Sequence, residues 1–229
     1  MAGKEEEFVE AVIGWYAGHG DSWLPWRGSR DAWQVLLAAL LLVRTTARQV
    51  LKVYGEIASR FPDPRSLLRA SEGELEGLLR PLGMEHRRAR LLKMLAERVV
   101  AEYGGSVPCN REGLEGLPGV GDYVASVVLL VACGEPVPLL DGNAVRVLGR
   151  VFGVKPSGAR PYRDPEFLAF AERLVPRDPG RALAFNLGLL DLARKVCTAR
   201  SPRCRKCPVG LLCGSRQGAG KASASAPGT

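Results

Sequence analysis

No stretch of this chain is apolar for long enough to cross a bilayer. The longest run, VLLAALLLV from Val35 to Val43, has nine residues, against the roughly 20 that a membrane helix needs. The chain opens MAGKEEEFVE, with no basic segment leading into an apolar one, so it does not begin like a secretory signal. No internal repeat and no ladder of alternating strand patterns is present, which sets aside repeat architectures and sheets. Acidic residues are in deficit, 24 Asp and Glu against 32 Lys and Arg, for a formal net charge of +8. That balance favours nucleic acid or another polyanion without choosing between them. A soluble, cytoplasmic protein is expected. With 229 residues, 46% of them hydrophobic, the chain suits one large domain or two modest ones.

What is there reads as helix. AWQVLLAALLLVRTTARQVLKVYGEIASRF has few breakers and apolar residues at helical intervals, giving one long helix or two abutting ones. Ser71 with Glu74 forms a capping box before LEGLLR. HRRARLLKMLAERVVAEY is amphipathic, with Leu91, Leu92, Leu95, Val99 and Val100 on its apolar side, and stops at Gly104 and Gly105. Asn110 caps a short helix through Leu114. DYVASVVLLVAC is β-branched enough for a buried strand, but its length favours a core helix. Asp141 or Asn143 begins the next helix, Asp164 with Pro165 opens another, and ALAFNLGLLDLARKVC is a further helical segment. The fold class is all-α. The segment from 216 to 229 lacks material for a core and is expected to be disordered.

Six cysteines are unevenly placed. Cys109 and Cys133 stand alone and are expected as small buried residues, since a reducing compartment disfavours disulfides. Cys197, Cys204, Cys207 and Cys213 follow C-x6-C-x2-C-x5-C. Four thiolates so close suit zinc or a [4Fe–4S] cluster, and spacing chemistry does not separate the two. The intervening Arg200, Arg203, Arg205 and Lys206 argue against an apolar core and can face phosphates.

In LPGVG, Gly119 and Gly121 permit a sharp turn, so the amides of Gly119, Val120 and Gly121 could receive a phosphate, with or without a bound monovalent cation. An ordinary helix–helix connection fits the same residues. Asp141 comes 18 residues after Tyr123. It reads as an N-cap, or as a carboxylate that stabilises an oxocarbenium-like sugar and orients water.

These segments together resemble the helix–hairpin–helix, Gly-Pro-Asp (HhH-GPD) superfamily of base-excision DNA glycosylases, which includes endonuclease III and the MutY-type adenine glycosylases. LPGVG is similar to the hairpin, VPLLDGNAVRVLGR to the segment with the family aspartate, and the four-cysteine spacing to the [4Fe–4S] loop. LPWRGSRDAWQVLLAALLLVRTTARQV and FNLGLLDLARKVCTARSPRCRKC also match, and the likeness covers roughly residues 8 to 215.

The resemblance implies an endonuclease III-like two-domain fold. Residues 25 to 134 would form a six-helix domain, and 1 to 24 would join 135 to 215 as the iron–sulfur domain, with the pocket between them. Double-stranded DNA is the implied partner, its target nucleotide flipped toward Tyr123 and Asp141. Tyr123 stands where bifunctional relatives keep a lysine. It offers no Schiff-base amine, so hydrolysis without strong lyase action is implied. Tyr123 then contacts the flipped nucleotide or fills the seam. Ala39 occupies the position of a catalytic glutamate, and the chain ends without room for an oxoguanine-recognition domain, both of which weaken adenine removal. LxxRTT, LPGVGxY and FNLGLLD resemble most the archaeal glycosylases that take thymine or uracil from G·T and G·U mismatches.

The implied DNA contacts are Leu117, Gly119, Val120 and Gly121 at the hairpin, Arg44, Thr45 and Thr46 at a helix end, and Arg146. The two threonines read equally as helix caps. Arg88 and Arg90 read as backbone contacts or a solvated face, and Arg146 and Arg150 as phosphate neighbours or packing salt bridges. Adenine or oxidised-pyrimidine removal, or a non-catalytic DNA-binding module, are the alternatives. The relatives act alone, which implies a monomer with downstream repair enzymes acting on its product.

Overall fold

The computed structural model describes residues 2 to 216. Most of the expected disordered tail therefore lies outside the described residues. No strand occurs among those described. The residues fall into two compact units, one from Ser22 to Glu135, the other made of the chain up to Asp21 together with Pro136 onward.

The chain begins in the second of these with α1 (Ala2–His19). The Ser22–Glu135 unit then contains α2 (Ala32–Leu42), α3 (Ala47–Arg60), α4 (Pro64–Arg69), α5 (Glu72–Leu79), α6 (Glu85–Tyr103), α7 (Arg111–Glu115) and α8 (Asp122–Val131). The chain returns to the discontinuous unit with α9 (Gly142–Phe152), α10 (Pro165–Leu174) and α11 (Pro179–Lys195). Among the described residues no helix is long and apolar enough to cross a membrane.

In the Ser22–Glu135 unit, α2 is apolar on nearly every face, and Trp33 and Val35 through Leu41 are all buried. A helix of that composition has to sit at the centre. It packs against α8, the other mostly apolar helix, while α3, α4 and α5 cover it and α6 with narrower apolar stripes. The stretch through RTT resolves into two helices. Asp31 caps α2 through the amides of Trp33 and Gln34, and Thr46 with Gln49 forms a reciprocal capping box that starts α3.

In the discontinuous unit α1 lies along α11. Gly188 allows the close approach, because a Cβ there would meet Tyr16 Cβ at 3.0 Å and Val12 O at 3.1 Å. Phe8, fully buried, meets Phe152 and Phe185 edge-on with ring centroids at 5.0 and 6.0 Å. That aromatic cluster fixes α9 against α1 and α11, and α9 carries the aspartate of interest at its start.

Candidate functional site

Four groups of candidate residues can be located. The first is the turn between α7 and α8. Asn110 caps α7 through the Gly113 amide at 2.8 Å. Leu117 and Val120 turn their side chains into the core, so this turn offers a ligand backbone rather than those side chains. Gly119 has φ +79, the left-handed region, and a Cβ would meet Leu91 Cδ1 and Cδ2 at 2.9 Å. Gly121 is different. Its φ of −104 suits any residue, and an added Cβ would meet nothing within 4 Å. As N-cap of α8 it supplies no side-chain cap and stands at the positive end of the helix. Tyr123 stands half-buried in the first turn of α8.

Cys109 and Cys133 correct the sequence expectation. Cys109 is exposed, Cys133 is half-buried, and they form a disulfide with Cα atoms 5.8 Å apart. Cys109 precedes the α7 cap and Cys133 follows α8. Packing α7 on α8 brings these two ends together, which no spacing rule reveals.

The second group is the turn between α2 and α3. Arg44 has φ +58, one of two left-handed non-glycine residues among those described; the other is Met84, at φ +56. Thr46 is a helix cap, and Thr45 Oγ1 accepts from Arg88 Nη2 at 2.6 Å. Arg88 is buried rather than solvated, and burial lowers its pKa below the ordinary arginine value. Arg90 and the adjacent Arg87 are exposed and line a shallow cavity with Gly119. Ala39 is buried on α2 at 7% exposure.

The third group surrounds Asp141. Its Oδ1 accepts from the amides of Asn143 and Ala144, both at 2.8 Å, making it the N-cap of α9. Its Oδ2 accepts from Asn143 Nδ2 at 2.7 Å. Asn143 Oδ1 accepts from Arg146 Nη1 at 3.0 Å, and Arg146 reaches on to Cys197 O and Ala193 O, each at 2.9 Å. Arg146 thus caps the carbonyl end of α11 within the protein. Arg150 likewise bonds Thr198 O at 2.7 Å, Ala199 O at 2.8 Å and Cys197 Sγ at 3.3 Å. Both arginines meet carbonyls, not the acidic partners of a packing salt bridge.

The approach to Asp141 is held by two residues that no sequence motif marks, Asn186 and Tyr162. Asn186, 1% exposed, accepts from Leu139 N at 2.7 Å and donates to Val137 O at 3.2 Å and Ala182 O at 2.9 Å. Tyr162 Oη accepts from Leu140 N at 2.8 Å and donates to Pro138 O at 3.1 Å. The only available sequence signal is a polar Asn inside the apolar run ALAFNLGLL.

The fourth group is the cysteine loop. Cys197, Cys204, Cys207 and Cys213 are all free, and all line one cavity of about 340 Å³. Val147, Val151, Val196 and Val209 complete its apolar wall. Burial pushes the Cys207 thiol above its ordinary value; an amide bond from Val209 opposes this, and the other three cysteines add to it. Among the described residues no three His, Cys, Asp or Glu side chains close around a single ion. Four unpaired thiols lining one cavity are the donor set that zinc or an iron–sulfur cluster takes. Arg200, Arg203, Arg205 and Lys206 are exposed on the same loop.

The family model for the HhH-GPD superfamily base excision DNA repair proteins matches residues 37–166. The chain is 53% identical over 211 residues to a thymine-DNA glycosylase of Aeropyrum pernix, covering 92% of this chain and 95% of that one. It is 54% identical over 203 residues to a thymine/uracil-DNA glycosylase of Pyrobaculum aerophilum, covering 89% and 88%. Its fold matches the solved structure of a thermostable thymine-DNA glycosylase with a TM-score of 0.86, at 34% identity over 95% of this chain and 98% of that chain.

Proposed function

The chain belongs to the HhH-GPD superfamily of base excision DNA repair proteins, and we propose that it is a monofunctional DNA glycosylase that removes thymine or uracil from G·T and G·U mismatches. The near full-length similarity to thymine- and uracil-excising relatives carries this reading.

The target nucleotide leaves the duplex, because its glycosidic bond cannot be reached within the stack. As that bond lengthens, the sugar gains oxocarbenium character and the pyrimidine departs as an anion. The Asp141 carboxylate stabilises the positive sugar and orients the attacking water. Its cap bonds and Asn143 hold it in one orientation. Water then adds to the sugar and leaves an abasic site. Tyr123 contacts the flipped nucleotide but has no amine to form a Schiff base, so strand cleavage does not accompany base loss. A pyrimidine anion leaves more readily than adenine, which makes Ala39 in place of a carboxylate tolerable.

DNA backbone is held by the amides of Gly119 and Gly121, through a monovalent cation where one is bound; the Val120 amide, expected beside them, is instead spent within the turn on Leu117 O at 3.1 Å. Leu117 and Val120 seat that turn, Arg44 with Thr45 and Thr46 faces the mismatch, and Arg146 braces Asp141 through Asn143. Cys197, Cys204, Cys207 and Cys213 would hold a [4Fe–4S] cluster, which would tie the loop together without entering the reaction. The hairpin domain, expected with six helices but carrying the seven from α2 to α8, spans 25 to 134, the cluster domain 1 to 24 with 135 to 215, and the enzyme works as a monomer in the cytoplasm.

Duplexes carrying G·T, G·U, A·G, A opposite 8-oxoguanine, or thymine glycol, each with and without alkali, test the reading. G·T and G·U are expected to be processed, with scission only after alkali. Intact G·T and G·U beside processing of another duplex would overturn the substrate, and scission without alkali at the rate of base loss would overturn the hydrolytic step.

A further inference from the structure

Arg88 is a charged side chain deep in the Ser22–Glu135 unit, at 7% exposure. Its acceptors are four backbone carbonyls and one hydroxyl. Nε donates to Gly83 O at 3.0 Å, Nη1 to Leu40 O at 3.4 Å and Leu41 O at 3.3 Å, and Nη2 to Val43 O at 3.1 Å and Thr45 Oγ1 at 2.6 Å. Leu40 and Leu41 belong to the last turn of α2, where a cation meets unpaired carbonyls and the negative end of the helix dipole. Those contacts alone would make Arg88 a helix cap.

The remaining contacts do more. Val43 and Thr45 flank Arg44, and Gly83 immediately precedes Met84. Of the two left-handed non-glycine residues among those described, Arg44 is thus bracketed by acceptors of one guanidinium, and Met84 directly follows another acceptor of the same group. That conformation is disfavoured for residues with a Cβ and persists only where neighbours enforce it. Val43 and Met84, each 45% exposed, line a cavity of about 240 Å³ with Arg44, Arg87 and the hairpin residue Gly119.

We infer that Arg88 is a positioning residue that ties the α2–α3 turn and the Met84 turn together, so that Arg44 is presented to the mismatch beside the hairpin. The inference rests on the proposed contact of Arg44 with mismatched DNA. Its demand is for a fork. The acceptors lie on three sides of a planar group, and a lysine, with one compact ammonium, cannot span them.

Arg88→Lys keeps the charge and loses the fork. Amide exchange at Val43, Thr45 and Gly83 in the full chain is expected to rise about tenfold. Affinity for a G·T duplex should fall about tenfold, and in an Arg44→Ala background the same change should cost less than about twofold. If Arg88→Lys does not fold, Thr45→Val removes one acceptor only, and exchange should then rise in the α2–α3 turn and not at Gly83. Unchanged exchange in both variants would refute the tether, and additive affinity losses would show that Arg88 does not act through Arg44. Full G·T affinity in Arg44→Ala alone would instead refute the Arg44 contact, leaving the exchange data to decide the tether.

Discussion

Asn143 donates through Nδ2 to Asp141 Oδ2 at 2.7 Å, while Asp141 Oδ1 takes two backbone amides. One oxygen of the carboxylate is thus spent on starting α9, and the other is oriented by a single amide side chain. Cap and catalyst are compatible roles for Asp141, because a cap needs an acceptor and the chemistry needs a charge. Asp141→Asn keeps the capping acceptor and removes the charge, with the loss of the bond from Asn143 Nδ2. Asn caps as well as Asp, so melting should move little, whereas base excision should fall by roughly 10²–10⁴ if the carboxylate assists the chemical step. Single-turnover excision alongside thermal melting checks this, and an active Asp141→Asn protein would take Asp141 out of the reaction.

Asn186 holds the extended Val137–Leu139 segment just ahead of Asp141. Replacing it with Leu keeps the branched outline but leaves the Leu139 amide and the Val137 carbonyl without that partner. Each stranded buried group costs about 1–3 kcal/mol. Asn186→Leu is therefore expected to lower stability by a few kcal/mol on that scale and to slow excision more than it weakens duplex binding. Equal losses in the two would mean that Asn186 serves stability alone.

The four free cysteines make a prediction independent of activity. Protein purified without air should carry about four irons per chain and absorb broadly near 400 nm, the behaviour of a thiolate-bound [4Fe–4S] cluster. Cys207→Ser should lose most of the iron. One zinc per chain and no such absorbance would place a different metal in the loop.

Much of the helical order is legible because caps are local. Ser71, Asn110 and Asp164 each announce a helix start within three residues. The break at Arg44 is harder, since no glycine or proline marks it. Thr46 and Gln49 signal the start of α3, but the residue that grips the end of α2 is Arg88, on another helix. Asp141 is legible as a cap from D-G-N, whereas Asn186 acts on Leu139 across 47 positions. What sequence hides here is every polar contact made between helices, because its partner is chosen by packing.

Asp164 carries the pH prediction. It accepts from the Phe167 amide at 2.8 Å and the Ser157 amide at 2.6 Å. These bonds, the Phe167 bond foremost, depress its pKa from 3.8 to about 2. A carboxylate depressed in the folded state contributes stability that is present above its unfolded value and lost as pH falls through the folded one. The stability gap between wild type and Asp164→Asn should therefore narrow as pH drops from about 5 toward 2 in urea titrations. A gap constant across that window would show that the charge on Asp164 contributes nothing.

The Cys109–Cys133 disulfide closes a loop with a sequence separation of 24, and that loop contains α7, the LPGVG turn and α8. The chain-entropy estimate for such a loop is about 3 kcal/mol, or roughly 6–12 °C in melting temperature for a chain of this size. Cys109 is exposed, so a reductant can reach the bond. Melting with and without reductant should differ by that amount, and the Cys109→Ala/Cys133→Ala protein should show no difference while melting at the reduced value. Because the bond brackets the hairpin rather than joining distant helices, its loss should raise amide exchange between 109 and 133 before it affects α3 to α5. If reduction lowers melting without that local signature, the bridge stabilises the whole unit and not the hairpin. An unchanged melting temperature would mean that the packing of α7 on α8 already holds the two ends together without it.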